Sequence, residues 1–405
     1  MKKELHHDIA LALHFAHNGK VEINSKLSDV SFEDFAYLYT PYVAEVCRAI
    51  IDNPKLKYDL TSIGNTIAII TNGTRILGLG NISDAGHPVM EGKSLLFKIL
   101  GGVDAYPLSI NAPSYKDIVQ FAKMLQPSIS GVNLEDIKQP DAFLAWKELQ
   151  NLSIPVFHDD MEGTAIVLMA GLINATRVVK KDLSSINVVF VGGGSAGLGF
   201  AMLWKDMDLP KDNITFIDRK GVISTNREDI NNNPVKSLIA SLSSGRGKSI
   251  IDAVQGADAI IGASSPGAIK PSYIKQMNDK PIVFAVSNPT PEIFPDEALK
   301  AGAFITATGR SDFPNQLNNS LVFPSIFRGT LSARATKITQ NMKKAAVYAL
   351  ADSIVPTKDR IVPRMDNKYV YQAVAIEVVK AAIKDNVANV DYEEALTDIS
   401  KKLGN

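Results

Sequence analysis

The chain has 405 residues, 45% of them hydrophobic, which is more than one ordinary core accommodates, so two domains with a cleft between them are expected. Lysine plus arginine and aspartate plus glutamate number 43 each with no basic block, which excludes the electrostatic footprint of a nucleic-acid or anionic-membrane binder and leaves small molecules as partners. The single Cys47 cannot form an internal disulfide; it suits a reducing, cytoplasmic setting and reads as a small buried apolar residue.

Two lysines open the chain, but Glu4, His6, His7 and Asp8 interrupt any apolar signal core, so residues 1–20 read as an ordinary helix. His6 and His7 point apart on such a helix and read as surface residues. No uninterrupted apolar run approaches a membrane span. Strands are expected at 67–70, 76–79, 105–110, 129–132 and 154–157, alternating with amphipathic helices at 94–100, 115–125 and 141–149. A long helix rich in small residues, 163–179, bridges to a second series of runs at 187–191, 214–217, 259–261, 282–286 and 304–306, with an exposed loop at 241–249. Helices then follow at 333–351, 370–384 and 392–403. The pattern predicts an α/β protein of two domains, the second a doubly wound Rossmann-type parallel sheet, with C-terminal helices packing back. Residues 1–160 form the first domain, 161–330 the nucleotide-binding domain and 331–405 its helical extension.

The run NVVFVGGGSAGLG carries the sharpest chemistry. An apolar β-branched strand enters Gly192, Gly194 and Gly197 at G-x-G-x-x-G spacing, and Ser195 and Ala196 open the following helix, whose first amides face a dinucleotide pyrophosphate. The next strand ends in Asp218, about twenty residues past Gly197, where such folds place the acceptor for the ribose hydroxyls. Arg219 and Lys220 follow and suit a 2′-phosphate instead; the acid at the strand tip favours NAD, with NADP possible.

Two acidic pairs stand at strand tips, Glu135–Asp136 in NLEDI and Asp159–Asp160 in FHDDMEG. Alone, each pair reads as solvated loop; together at the ends of one sheet they repel unless a cation holds them, and oxygen ligands suit Mg²⁺ or Mn²⁺. His158 reads as a packing residue. Lys93, opening an amphipathic helix, is ordinarily a solvated lysine; beside a cation its pKa would fall toward that of a general base. Tyr39 reads either as a packing residue or as a general acid.

YTPYVAEVC, RILGLGN, PVMEGKSLLFK, NLEDI, FHDDMEGTA, SNPTPEI and ATGRSDFPNQLNN run from Tyr39 to Arg328 in the order and spacing of malic enzyme, and the chain resembles the short bacterial form of that family, without a fused acetyltransferase-like domain. The resemblance implies oxidative decarboxylation of L-malate to pyruvate and CO2 with reduction of NAD(P)⁺. It implies Glu135, Asp136 and Asp160 as metal ligands with Asp159 as their neighbour, Lys93 as the base and Tyr39 as the acid. Arg75 falls on a substrate carboxylate; Asn288, Asn318 and Asn319 contact malate or, for the first two, the nicotinamide end of the cofactor. A homodimer is implied as well. The chain departs from the family pattern at Tyr42, where Gly is usual, at Val46, where Pro is usual, and at Met161–Glu162, which adds negative charge near the metal. Rival readings are an oxaloacetate decarboxylase or a malolactic enzyme of the same family and, from another class, a catalytically inactive dinucleotide-binding module, which would have no use for Lys93 and the acids.

Overall fold

The computed structural model describes residues 2–404, with side chains from residue 8 onward; those of His6 and His7 lie outside the described residues. Helix Lys2–His17 opens the chain. The first sheet has four parallel strands, β1 (Thr66–Thr71), β2 (Asp104–Ser109), β3 (Val132–Leu134) and β4 (Val156–His158), in the order β2-β1-β3-β4. Its crossover helices, His87–Gly101, Tyr115–Leu125 and Asp141–Leu149, follow from apolar positions at helical spacing. Tyr115–Leu125 starts at a reciprocal cap between Ser114 and Asp117. The run at 76–79 is not a strand. Ile76 and Gly80 form a single antiparallel bridge, and Leu77 adopts φ +47°, so the chain turns back within the loop of Arg75.

The second sheet contains β5 (Val188–Val191), β6 (Ile214–Asp218), β7 (Gly221–Val222), β8 (Ala259–Gly262), β9 (Ile282–Ala285) and β10 (Ile305–Thr308), ordered β10-β9-β8-β5-β6-β7. All pairings are parallel except β6 with β7. Strand order reverses beside β5, so a crevice opens at its carboxyl end, where the glycine turn lies. Helix Thr164–Val179, almost wholly buried, packs against helix Ser195–Asp206, which opens at the glycine turn. Asp159–Val179 is long and apolar enough to cross a membrane by composition, yet 83% of its most apolar eighteen residues are buried inside the protein, so it serves as a core element.

The chain packs back at its C-terminal end. The expected helix at 333–351 begins only at Gln340, because Thr339 caps it and residues 334–339 are turn. Ahead of it lies a helix that periodicity did not separate, Phe323–Ser332, all ten residues of which are buried. It and helices Lys368–Lys384 and Tyr392–Leu403 pack on His87–Gly101 of the first sheet, while Gln340–Asp352 packs on Thr164–Val179. Residues 8–62 differ in character. Phe15, Ile23, Phe32 and Ile51 are each at least three-quarters exposed, and Cys47, expected in the core, is exposed with them.

Candidate active site

Lys93 sits on the second turn of His87–Gly101, its ammonium at the carboxyl ends of β3 and β4. Its Nζ lies 2.6 Å from Asp159 Oδ2 and 2.9 Å from Glu135 Oε1, and 4.3 Å from the centre of the Phe323 ring. Glu135 follows β3 and Asp159 follows β4, adjacent parallel strands whose carboxyl ends bring the two acidic pairs together. Asp136 takes φ +52°, a conformation aspartate tolerates, and its backbone N–H donates to Asp160 Oδ2 at 2.9 Å. Asn133 donates to Glu135 Oε2. The segment Asp159–Gly163 winds as one wide π turn, and a side chain at Gly163 would stand 1.9 Å from Asp159 Oδ1. Glycine there is what lets the carboxylate face Lys93.

Two carboxylates therefore bind one ammonium, and two more stand beside them. Burial raises Asp136 to about 7 and Asp159 to about 6, and lifts Glu135 well above its usual value; the charge on Asp160 adds to each and Lys93 offsets only part. Burial opposes the charge on Lys93, but Asp159 and Glu135 outweigh it and its pKa is raised. The lowered lysine pKa is expected only beside a cation; in the protein alone the carboxylates hold the proton on. Asp159 Oδ1 and Asn133 Oδ1 are buried without a hydrogen-bond partner among the described residues. The charge excess and the orphaned oxygen fit a divalent cation, although no three acids converge as ligands among the described residues.

Two neighbours, Glu162 and His158, flank the cluster. The charge on Glu162 adds to the burial that raises Asp159, as expected, but it is held from outside the cluster: its Oε2 accepts from Trp146 Nε1 and the His158 backbone, and its Oε1 pairs with Lys343 at 2.8 Å. His158 is fully buried, with both ring nitrogens unpartnered among the described residues; burial lowers its pKa against the pull of Asp160 and Glu162.

Arg75 donates its backbone N–H to Asp136 O, while its exposed guanidinium has no carboxylate partner among the described residues. Tyr39 is not in the cluster. It is 71% exposed on the N-terminal segment, and Tyr42 beside it has ordinary angles and stacks on Tyr37, so this loop does not require glycine.

The glycine turn lies against the acids. Gly192 has φ +145°, and a side chain there would strike Ala263 O; one at Gly197 would stand 2.3 Å from Gly192 O, whereas Gly194 faces open space. The second glycine thus leaves room for a phosphate at the start of helix Ser195–Asp206. That helix packs on the π turn, Gly199 against Met161 O, and buried Ser195 accepts a hydrogen bond from Gln139, which follows β3. Ala196 is half-buried on the same turn. Across the cleft, Gly78 of the Arg75 loop approaches Asn288–Pro289. Asn288 is exposed there, Asn318 uses its Oδ1 to cap Ser320, and Asn319 is half-buried beside it.

Asp218 is at the strand tip as expected, but it is already engaged. Arg227 grips both its oxygens at 2.8 and 3.0 Å, and Lys236 Nζ lies 2.6 Å from Oδ2. Burial works against this carboxylate, but those bonds and the Lys220 N–H lower its pKa. Arg219 and Lys220 are exposed, Lys220 pairing with Asp229 instead. A side chain at Gly193 would meet Lys236 Cε at 3.7 Å and Asp218 Cβ at 3.8 Å, so this ion cluster borders the glycine turn. The sequence offered no spacing signal for Arg227 or Lys236, nor for Phe323.

A doubly wound sheet with a dinucleotide turn, packed against a buried lysine–carboxylate cluster, defines an α/β enzyme of the nucleotide-dependent oxidoreductase class. The family model "Malic enzyme, NAD binding domain" matches residues 161–383 and "Malic enzyme, N-terminal domain" matches residues 17–117. The chain is 43% identical to the bifunctional malic/malolactic enzyme of Bacillus subtilis, over 97% of each, and 44% identical to the NAD-dependent malic enzyme of Geobacillus stearothermophilus, over 92% of this chain and 78% of that one. Other relatives are named NADP-dependent. The malic enzyme structure from Pyrococcus horikoshii superposes with a TM-score of 0.90 at 40% identity, covering 95% of this chain and 92% of the other. The chain belongs to the malic enzyme family.

Proposed function

We propose that this chain oxidatively decarboxylates L-malate to pyruvate and CO2 with reduction of NAD(P)⁺. The observation that carries the reading is Lys93, a buried ammonium bonded to two carboxylates and packed on the Phe323 ring. Residues 1–160 hold substrate and metal, 161–330 the nucleotide, and 331–405 brace both.

Glu135, Asp136 and Asp160 are the residues to hold Mg²⁺ or Mn²⁺, with Asp159 beside them. When bound, the cation supplies Lewis acidity, withdrawing electron density from the C2 oxygen. A nicotinamide cofactor held at the glycine turn would supply the acceptor for the hydride that leaves C2. Lys93 takes the proton of the C2 hydroxyl at Nζ, which requires that Glu135 and Asp159 no longer hold it fully charged. Arg75 binds a malate carboxylate with its free guanidinium, while Asn288 and Asn318 border the nicotinamide end and Asn319 contacts substrate. Tyr39 returns a proton to C3. It stands on the exposed apolar N-terminal segment, so its access to the cluster depends on what covers that face; a homodimer covering it is our reading, in a cytoplasmic protein.

Asp218 favours NAD⁺ through the ribose hydroxyls, but Arg227 and Lys236 offset its charge, so NADP⁺ serves as a second, weaker cofactor. Steady-state assay with L-malate, crossing the two nucleotides with and without Mn²⁺, tests the reading. Lactate instead of pyruvate, or CO2 release from oxaloacetate with no malate-dependent reduction of nucleotide, would replace it by the malolactic or decarboxylase alternative.

A further inference from the structure

A cleft of about 360 Å³ lies away from the acid cluster, between the C-terminal helix Tyr392–Leu403, the end of Phe323–Ser332 and the turn before β1. Its charges are of two kinds. The arginines are occupied by carboxylates: Arg328, 1% exposed, binds Asp398 and Asn65 Oδ1, and Arg334 binds Asp59 and Glu394. The lysines are not. Lys26, Lys401 and Lys402 line the same cleft with no ion pair among the described residues. Burial lowers the pKa of Lys402, and Arg328 and Lys26 press on it from the same space, against the pull of Asp398 and Asp104. Asp104 is itself bonded to Lys98 and Asn65.

The cleft is lined by five cations (Lys26, Arg328, Arg334, Lys401 and Lys402) against three carboxylates (Asp59, Glu394 and Asp398), an excess of positive charge that an anion in the space between them would balance. Guanidinium forks match planar carboxylates, whereas lysines are compact point charges suited to phosphate oxygens, and here only lysines remain to be satisfied. We propose that this cleft is a second ligand site, which takes a small phosphate-bearing anion on Lys26 and Lys402. Its volume suits a small molecule. Asn65 in its wall also donates to Gly102 O, the cap of the helix that carries Lys93 nine residues earlier, about 13 Å along the axis. The ligand thus binds against the same rigid element as the catalytic lysine.

Calorimetric titration of inorganic pyrophosphate into the full-length chain tests this, without divalent metal and in saturating NAD⁺ so that the glycine turn is filled. One equivalent is expected to bind per chain. The Lys26→Gln, Lys402→Gln double variant is expected to bind about tenfold or more weakly, since two charge-assisted contacts are lost. The single variant Lys26→Gln, an exposed position that the fold does not need, should bind with intermediate affinity. Absence of binding to the unaltered chain, or binding that both variants leave unchanged, would overturn the site. Neither readout depends on malate turnover, so failure here is separate from failure of the proposed reaction.

Discussion

Lys236→Ala tests the nucleotide site directly. Its Nζ stands 2.6 Å from Asp218 Oδ2 with the side chain a quarter exposed, while Arg227 remains on the same carboxylate at 2.8 Å. The substitution therefore removes one positive charge beside the 2′ position but leaves Asp218 paired. Two unit charges at about 4 Å interact by roughly 4 kcal/mol at an effective dielectric constant near 20. Desolvation takes back part of that, and a charged hydrogen bond nets about 1.5–3 kcal/mol. For NADP⁺, kcat/KM should fall roughly 10- to 100-fold. NAD⁺ brings no phosphate to this point, so its kcat/KM should change by less than about threefold, the scale of a partly screened charge. Initial rates with each nucleotide at saturating malate and Mn²⁺, repeated at higher ionic strength, give both ratios. Equal falls for the two nucleotides, or no fall with NADP⁺, would refute the assignment of Lys236 to the 2′ position.

Gly163→Ala places a methyl 1.9 Å from Asp159 Oδ1, so the carboxylate must leave Lys93; turnover should fall by about two orders of magnitude or more, the worth of a positioned proton-transfer group, with circular dichroism unchanged. Lys93→Ala should lower kcat roughly 10²- to 10⁴-fold with less effect on malate binding, and a small added amine should restore part of it. Asp136→Ala or Asp160→Ala is expected to abolish Mn²⁺-dependent turnover while NAD⁺ affinity, measured by fluorescence titration, stays nearly intact. Lys343→Ala leaves buried Glu162 without its cation and should cost about 3 kcal/mol in urea unfolding; a loss below about 1 kcal/mol would mean that the Trp146 and His158 hydrogen bonds suffice.

Local pattern was enough to locate most of the elements. Helices Tyr115–Leu125, Asp141–Leu149 and Tyr392–Leu403 match the periodicity residue for residue, because each buries one face at 3.6-residue spacing. The glycine turn was legible for the same local reason: a side chain at Gly192 or Gly197 collides with backbone within the same βα unit or the neighbouring strand end. The strand tips carrying the four acids were also legible, to within two residues. The run at 76–79 misled, since apolar character there serves a turn that packs Ile76 into the core.

What charge each group meets was decided only in three dimensions. Glu162 and Asp159 lie three residues apart in one turn, yet one pairs with Lys343 and the other with Lys93, from helices 250 residues distant in the chain. Asp218 was correctly placed by its strand, but whether it repels a phosphate depends on Arg227 and Lys236, which reach it from a loop and from helix Pro234–Ser241. Periodicity reports which face of an element is buried, and so determines the fold. An ion pair is set by the meeting of side chains from separate elements, which no local spacing records, and so the electrostatics of the site belong to the tertiary structure alone.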